Sequence, residues 1–412
     1  MCFFERRLTL RVCRQPILSC LLSKKNDLID LCKPSRSVRL QALTLRDLSL
    51  PSEDGNDVRK KQAAGPNKTR TRATLKDVAD SVGVHLSTVS RVLNQKPGYA
   101  VSDEVAARIR KAASDLGYKT NPFAYSLRIN RSFTIGVLIP DLSNPVFPPI
   151  IRGIEHTLGR VGYTAILADC DNRVDEERRI LDRFKARQSD GLILATAQRD
   201  DEMIRECVEE GYKVVLVNRT IDSREVSSIT NDDHEGILQA VEHLVKLGHR
   251  RIAHVAGPQH ISTGHARYKA FRAALREFGI EPEDSLIGYC ETFSEEEGQT
   301  ALARLLAHSQ DFTAVVAAND LIALGCYDAM EDAGLQCPRD LSITGYNDMP
   351  FVDKFKPPLT TVRIPLYEMG VKAAEEILDL LESPDPQAKR LKLQPSLVVR
   401  GSTAPPAATH WG

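Results

Sequence analysis

Between residues 74 and 117 apolar positions recur at three- and four-residue intervals in three short bursts, the period of helices with one buried face. Leu75, Val78, Ala79 and Val82 make the first burst. Thr74 and Asp77 stand before it at capping-box spacing, and Gly83 supplies the left-handed residue that ends a helix in a tight turn. The second helix is expected from about His85 to Leu93, turning Val89 and Val92 toward the first. A third begins near Ser102, with Asp103 and Glu104 in the turn where the helix dipole favours acids, and runs through Val105, Ile109, Ala112 and Leu116 to Gly117. Beyond residue 132 the period changes. Short β-branched runs at Thr134–Ile139, Thr164–Ala168, Gly191–Ala195 and Lys213–Val217, then Ile252–Ala256, Thr313–Ala317 and Leu341–Gly345, alternate with amphipathic helices. Such alternation predicts βαβ units in parallel sheets, and its two series predict two similar lobes with a cleft between them.

The first 70 residues show no sustained period and end in a polar stretch, Pro51 to Thr71; residues 1–72 are expected to be a disordered leader. A translation start near Val58, which would leave only a short basic arm, is an alternative for this segment. At 412 residues the chain is long enough for two or three domains with a sizeable core. Its net charge is zero, yet residues 58–132 hold fifteen Lys or Arg against five Asp or Glu, so the remainder is acidic. A basic front on an acidic body suggests a polyanion-binding module on a soluble carrier. Nine cysteines show no metal-ligand spacing and are odd in number, which fits reduced thiols in a cytoplasm. No apolar run reaches membrane-spanning length, and Arg6, Arg7, Arg11 and Arg14 interrupt any signal-peptide core. Neither a membrane nor secretion is expected.

Two short helices joined at Gly83 form a helix-turn-helix, whose second helix enters the major groove. With Val84, Val89 and Val92 inward, Leu86, Ser87, Ser90 and Arg91 face out. Arg91 has the geometry for a bidentate contact to a guanine edge, Ser87 for a base or phosphate, and Leu86 for a thymine methyl. The run Thr74 to Ala79, then Gly83, Val84, Thr88, Val89, Ser90, Arg91, Val92, Leu93 and Asn94, is similar to the lactose-repressor/galactose-repressor family of transcription regulators, and the resemblance continues across residues 73–402. It implies that Thr74, Thr88 and Asn94 also belong to the DNA-binding set. His85 stands where this family often has a Ser capping the recognition helix.

Asn121 and Pro122 cap the short segment Phe123, Ala124, Tyr125, Ser126 and Leu127. So short a helix is marginal in water and is expected to order only on DNA. The resemblance implies a hinge helix over 121–132, with Asn121 and Tyr125 at the DNA and Leu127 wedged into the minor groove. The body, residues 133–402, resembles a periplasmic sugar-binding protein behind a DNA reader. Its matching residues are Asp141 with Asn144 and Phe147, Asn218 with Arg219, Arg267, Asn319 with Asp320, and Gly345 to Asp348, including Asn347. They fall after strand ends or at helix starts, where the crevice of an open parallel sheet lies. Asn319, Asp320 and Arg267 are candidate polar partners for a polyhydroxylated ligand, and Phe147 and Phe293 candidate stacking faces. Asn218 and Asn347 stand where several sugar-responsive relatives have aspartate, so a sugar and an acidic sugar or other carboxylate both stay open.

The fold expected is therefore α/β: an N-terminal three-helix helix-turn-helix DNA-binding domain over 73–120, a hinge helix, a two-lobed periplasmic-binding-protein-like domain of parallel sheets, and a disordered tail over 403–412. No Gly-rich phosphate loop follows the first strand, which runs into Pro140 and Asp141, and no histidine pairs with Cys or a carboxylate at ligand spacing. His249 reads as structural; no enzyme, metal or cofactor is expected. A transporter's solute-binding protein would need a signal peptide and no DNA reader. The expected protein is a cytoplasmic homodimer on a pseudo-palindromic double-stranded operator, repressing rather than activating, with a cleft-bound small-molecule effector that alters hinge spacing. Its tail lacks the apolar heptads of a coiled coil. Leu127→Ala is expected to weaken operator binding and straighten the bound duplex in a gel-shift bending assay; full affinity on equally bent DNA would defeat the hinge assignment.

Overall fold

The computed structural model describes residues 73–93, 101–118, 131–309, 311–385 and 387–407, all within one compact unit that begins at Arg72. The expected leader, Asn94, the hinge segment from Asn121 to Leu127 and the last five residues of the expected tail lie outside the described residues.

The first three helices are α1 (Leu75–Val82), α2 (Leu86–Leu93) and α3 (Asp103–Asp115). The Thr74 hydroxyl accepts the Asp77 amide while the Asp77 carboxylate accepts the Thr74 amide at 2.7 Å, the reciprocal box the spacing predicted. Gly83, at φ 70°, ends α1 in the left-handed region, and Ser102 caps α3. Val78, Val82, Val89, Val92, Ile109 and Ala113 close a small core among the three.

From Phe133 strands and helices alternate: β1 (Thr134–Ile139), α4 (Phe147–Arg160), β2 (Thr164–Asp169), α5 (Val174–Ala186), β3 (Gly191–Leu194), α6 (Glu202–Glu209), β4 (Lys213–Val217) and β5 (Ser227–Asn231). A second series follows: α7 (Asp233–Lys246), β6 (Ile252–Ala256), α8 (Ser262–Glu277), β7 (Ile287–Tyr289), α9 (Glu295–His308), β8 (Ala314–Ala317), α10 (Asp320–Asp332), β9 (Ser342–Asn347) and β10 (Thr360–Arg363). Last come α11 (Leu366–Glu382), β11 (Arg390–Leu393) and β12 (Ser396–Val398). The two sheets run β11-β5-β4-β3-β1-β2 and β12-β10-β9-β8-β6-β7, every pairing parallel except the antiparallel β10 with β12. The central strands β3, β4 and β8 are buried almost throughout, as covering both faces of a parallel sheet requires.

All seven expected strands form, three with the expected bounds and four with ends shifted by one or two residues. Five more were not expected: β5 is polar, β7 and β12 are three residues long, and β10 and β11 follow the second series. They change the topology, because neither lobe is one continuous stretch. The chain leaves the first sheet after β5, returns through α11, which packs on α4, β3 and β4, and crosses a third time from β11 to β12. Helices α4 and α11 approach so closely that a Cβ on Gly153 would meet the Tyr367 carbonyl, and one on Gly370 the Ile150 carbonyl.

The tail expected to be disordered from residue 403 instead begins packed. The Ala404 amide donates to Ser342, its carbonyl accepts from His249 Nε2 at 2.9 Å, and Thr403 Oγ1 meets His243. His249 also bonds Thr313 through Nδ1, so it clamps the tail onto the second lobe.

His254 lies wholly inside that lobe, stacked on Phe271 with 4.7 Å between ring centres, its Nδ1 on the Val316 carbonyl and its Nε2 without a partner among the described residues. Burial, with the Arg267 charge adding to it against the Val316 bond, depresses its pKa to about 4. A folded-state value below the unfolded one means stability present above about pH 6.5 and lost as pH falls toward 4. The loss amounts to about 3 kcal/mol for this group. Urea unfolding at pH 7 and pH 4.5 is expected to show a smaller acid loss for His254→Phe than for the parent; parallel losses would refute it.

Candidate DNA-reading face and effector cleft

Helix α2 buries Val89 completely and Val92 nearly so, which fixes its rotation and leaves Leu86 44% exposed on the opposite side. Ser87, Thr88, Ser90 and Arg91 are half-buried around that face. His85 stands in for the missing serine cap: its Nδ1 accepts the Ser87 amide at 3.3 Å and lies 2.8 Å from the Ser87 hydroxyl. Arg108 of α3 donates to the Val82 carbonyl, so the third helix holds the end of the first. Thr74 forms the capping box, hydroxyl included, and starts α1.

The C-terminal ends of β1, β2, β3, β4, β6, β8 and β9 converge on the crevice between the lobes. A cavity of about 320 Å³ there is lined from the first lobe by Asp141, Asn144, Phe147, Cys170, Glu177, Thr196 and Arg219, and from the second by His260, Glu291 and Phe293. A smaller recess of about 20 Å³ shares Asn144, Phe147, Arg219 and Phe293 and adds Asn218, Thr263, Arg267, Asn319 and Asn347. Nine of the ten expected effector residues thus line the cleft. Asp320 does not. Its fully buried carboxylate accepts the Thr361 hydroxyl at 2.5 Å and the Met349 amide at 2.8 Å, bracing β10 and the chain after β9. Burial pushes its pKa up to about 7 against those two bonds.

Backbone geometry places several of these groups. Asn218 and Asn347 adopt positive φ, 66° and 113°, where their strands end at the cleft. Asn319 caps α10 by accepting the Ile322 amide at 2.8 Å, and Asn144 accepts the Val146 amide. Phe293 lies against Gly257 so closely that a Cβ there would meet the ring edge and displace it. The two arginines differ. Arg267, 3% exposed, donates Nε to Asp233 at 2.9 Å and NH1 to the Ala318 carbonyl at 2.7 Å, and its guanidinium lies 3.8 Å above the Tyr346 ring. Tyr346 in turn receives the Asn231 amide at 2.7 Å, where the chain leaves the first lobe. Arg219 donates only to the Thr196 carbonyl, at 3.4 Å, and pairs with no carboxylate among the described residues. Burial lowers its pKa to about 10, so it stays charged at neutral pH.

Residues 74–121 match the lacI family of bacterial regulatory proteins, and residues 241–403 match a periplasmic binding protein-like domain. The HTH-type transcriptional repressor CytR of Escherichia coli (strain K12) is 33% identical over 336 residues, 82% of this chain and 98% of that protein. The chain belongs to the lacI family. Among solved structures, the Lac repressor dimer bound to operator and the anti-inducer ONPF is 27% identical with a TM-score of 0.71, over 81% of this chain and 100% of that one. The complex of the transcriptional regulator CelR with cellobiose is 30% identical with a TM-score of 0.63, over 80% and 100%. As a lacI-family member the protein is a ligand-responsive, DNA-binding transcriptional repressor. Among the described residues no helix is long and apolar enough to cross a membrane.

Cys170, Glu177, Thr196 and His260 line the cleft without having been expected from the sequence. All follow strand ends or open the next helix, so the rule that led to Asp141 and Asn218 pointed to them too; none stands in a motif that singles it out. Asp233→Ala is expected to lower stability by about 3 to 5 kcal/mol, because it strands the buried Arg267 charge. Denaturant unfolding reads this directly, and a loss under 1 kcal/mol would show that Asp233 does not compensate that charge.

Proposed function

We propose that two copies of this chain set their α2 helices into successive major grooves of a pseudo-palindromic operator, and that a sugar-type small molecule in the interlobe cleft controls that binding. Leu86, Ser87, Ser90 and Arg91 read base edges and phosphates, while Thr88 and Asn94 flank them. In the cleft, Asn218, Asn319, Asn347 and Arg267 meet ligand hydroxyls, Asp141 and Asn144 hold its rim, and Phe147 and Phe293 face its ring. The observation that carries the reading is the rotation of α2: the buried Val89 and Val92 leave it one outward face, bearing Leu86 and, half-buried beside it, Arg91. A cleft ringed by amide side chains and two phenylalanines supports the second half, as does the cellobiose held by the CelR relative.

The same geometry supplies a mechanism. The lobes are joined at three crossings and touch across the cleft mouth, where the Arg199 amide donates to the His260 carbonyl at 3.0 Å and the Thr220 amide to Ser262 Oγ at 2.9 Å. A ligand favouring one lobe arrangement shifts the separation of the two hinge segments in the dimer and so the cost of ordering them on DNA. A coupling of about 1 to 3 kcal/mol makes a working switch. The cleft performs no catalysis in this reading, and the protein works in the cytoplasm.

Selection from a random DNA pool with the full chain is expected to return a two-fold motif. Arg91→Ala is expected to cost about 1 to 3 kcal/mol and relax one base position in each half-site. Recovery of no palindrome, or unchanged preference in the Arg91 variant, would overturn the assignment.

A further inference from the structure

The cleft holds two opposite charges bonded to one threonine; the family resemblance singles out Arg219 and not Glu177. Glu177, on the first turn of α5, is 4% exposed and lines the larger cavity. Its Oε1 accepts the Thr196 hydroxyl, and Oε2 accepts from none of the described residues. Arg219 lines the same cavity and donates to the carbonyl of that same Thr196, keeping most of its five N–H groups for other partners. A carboxylate acceptor and a guanidinium donor therefore both bond Thr196; Glu177 and Thr196 line the larger cavity alone, and Arg219 lines it and the Asn319–Asn347 recess.

The charge balance decides what such a pair receives. Arg267 is neutralised by Asp233, so the open positive charge facing the cavity is Arg219. Against it stand Glu177 inside and Asp141 and Glu291 on the more exposed lining. A ligand carboxylate brought to this space meets more negative charge than positive. A hydroxyl, which donates and accepts at once, satisfies both Glu177 and Arg219 without adding charge.

On the reading that the cleft is the effector site, we propose that Glu177, Thr196 and Arg219 form a second subsite that seats a hydroxyl-bearing portion of an uncharged polyol or glycoside, and that Glu177 is the residue that turns sugar acids away. Arg219 fixes the acceptor side of the bound hydroxyl, Glu177 its donor side, and Thr196 holds the carboxylate in place.

The test uses the full chain and calorimetric titration with matched neutral and acid pairs: ribose and ribonate, glucose and glucuronate, galactose and galacturonate, cellobiose and cellobionate. The neutral member of at least one pair is expected to bind about tenfold or more tightly than its acid, the order of discrimination that one like charge a few ångströms away imposes. In Glu177→Gln, which retains the acceptor for Thr196, that ratio is expected to fall toward one. Glu177→Leu reads the same ratio should the glutamine variant fail to fold by circular dichroism. An acid that binds as well as its neutral partner, or a ratio unchanged in the folded variant, overturns the subsite while leaving the cleft as the effector site. Absence of binding by every pair overturns both, and leaves operator recognition to stand on its own selection experiment.

Discussion

A guanidinium held at 3% exposure is stable only where its charge and its donors are all answered, and the crossing between the two lobes is built around answering them for Arg267. Asp233, the first residue of α7, supplies the counter-charge, the Ala318 carbonyl a second acceptor, and the Tyr346 ring a face 3.8 Å away. Each comes from a different segment: the start of the second lobe, the end of β8 and the end of β9. Asn231, the last residue of β5, closes the set by donating to the Tyr346 hydroxyl. A single buried cation thereby ties the exit from the first lobe to the sheet of the second, directly beneath the recess lined by Asn319 and Asn347. Any rearrangement of the lobes has to keep this cluster paired or strand a charge, which favours discrete lobe positions over a continuum.

The cleft inherits its chemistry from that arrangement. Because Arg267 is already paired, it presents a fixed and neutralised surface to the cleft, whereas Arg219 presents an open charge. The two arginines look equivalent in the chain and are opposite in the fold. The Asp320 side chain shows the same principle from the other direction: its neighbour Asn319 reaches the recess, while Asp320 is turned under the sheet to hold Thr361 and the Met349 amide.

The DNA reader depends on a much smaller core, in which Val78, Val89 and Ile109 are completely buried. So few apolar contacts make the end caps matter. The Thr74–Asp77 box starts α1, Gly83 stops it, and His85 closes the first turn of α2 in place of the usual hydroxyl. A capping nitrogen that accepts the Ser87 amide two residues on does locally what a serine oxygen does, so the departure from the family pattern leaves the helix in register.

Local information accounts for what was legible in the chain. Helix starts, the Gly83 turn, the burial of Val89 and Val92 and the seven apolar strands each follow from residues within a few positions of one another, and the period of the pattern carries them. The polar β5, the three-residue β7 and β12, and the late β10 and β11 carry no such period, since their place is set by partner strands elsewhere in the chain, as far apart as Ser228 and Arg390. The threefold crossing, the anchoring of Ala404 by His249, and the grouping of Glu177 with Arg219 are likewise long-range facts. The sequence alone determined that this is a helix-turn-helix joined to two parallel-sheet lobes, and which loops border the crevice. Only the tertiary structure decided which of those loop side chains line the cleft and which are consumed in pairing one another, because burial and charge compensation depend on partners that meet only when the chain is folded.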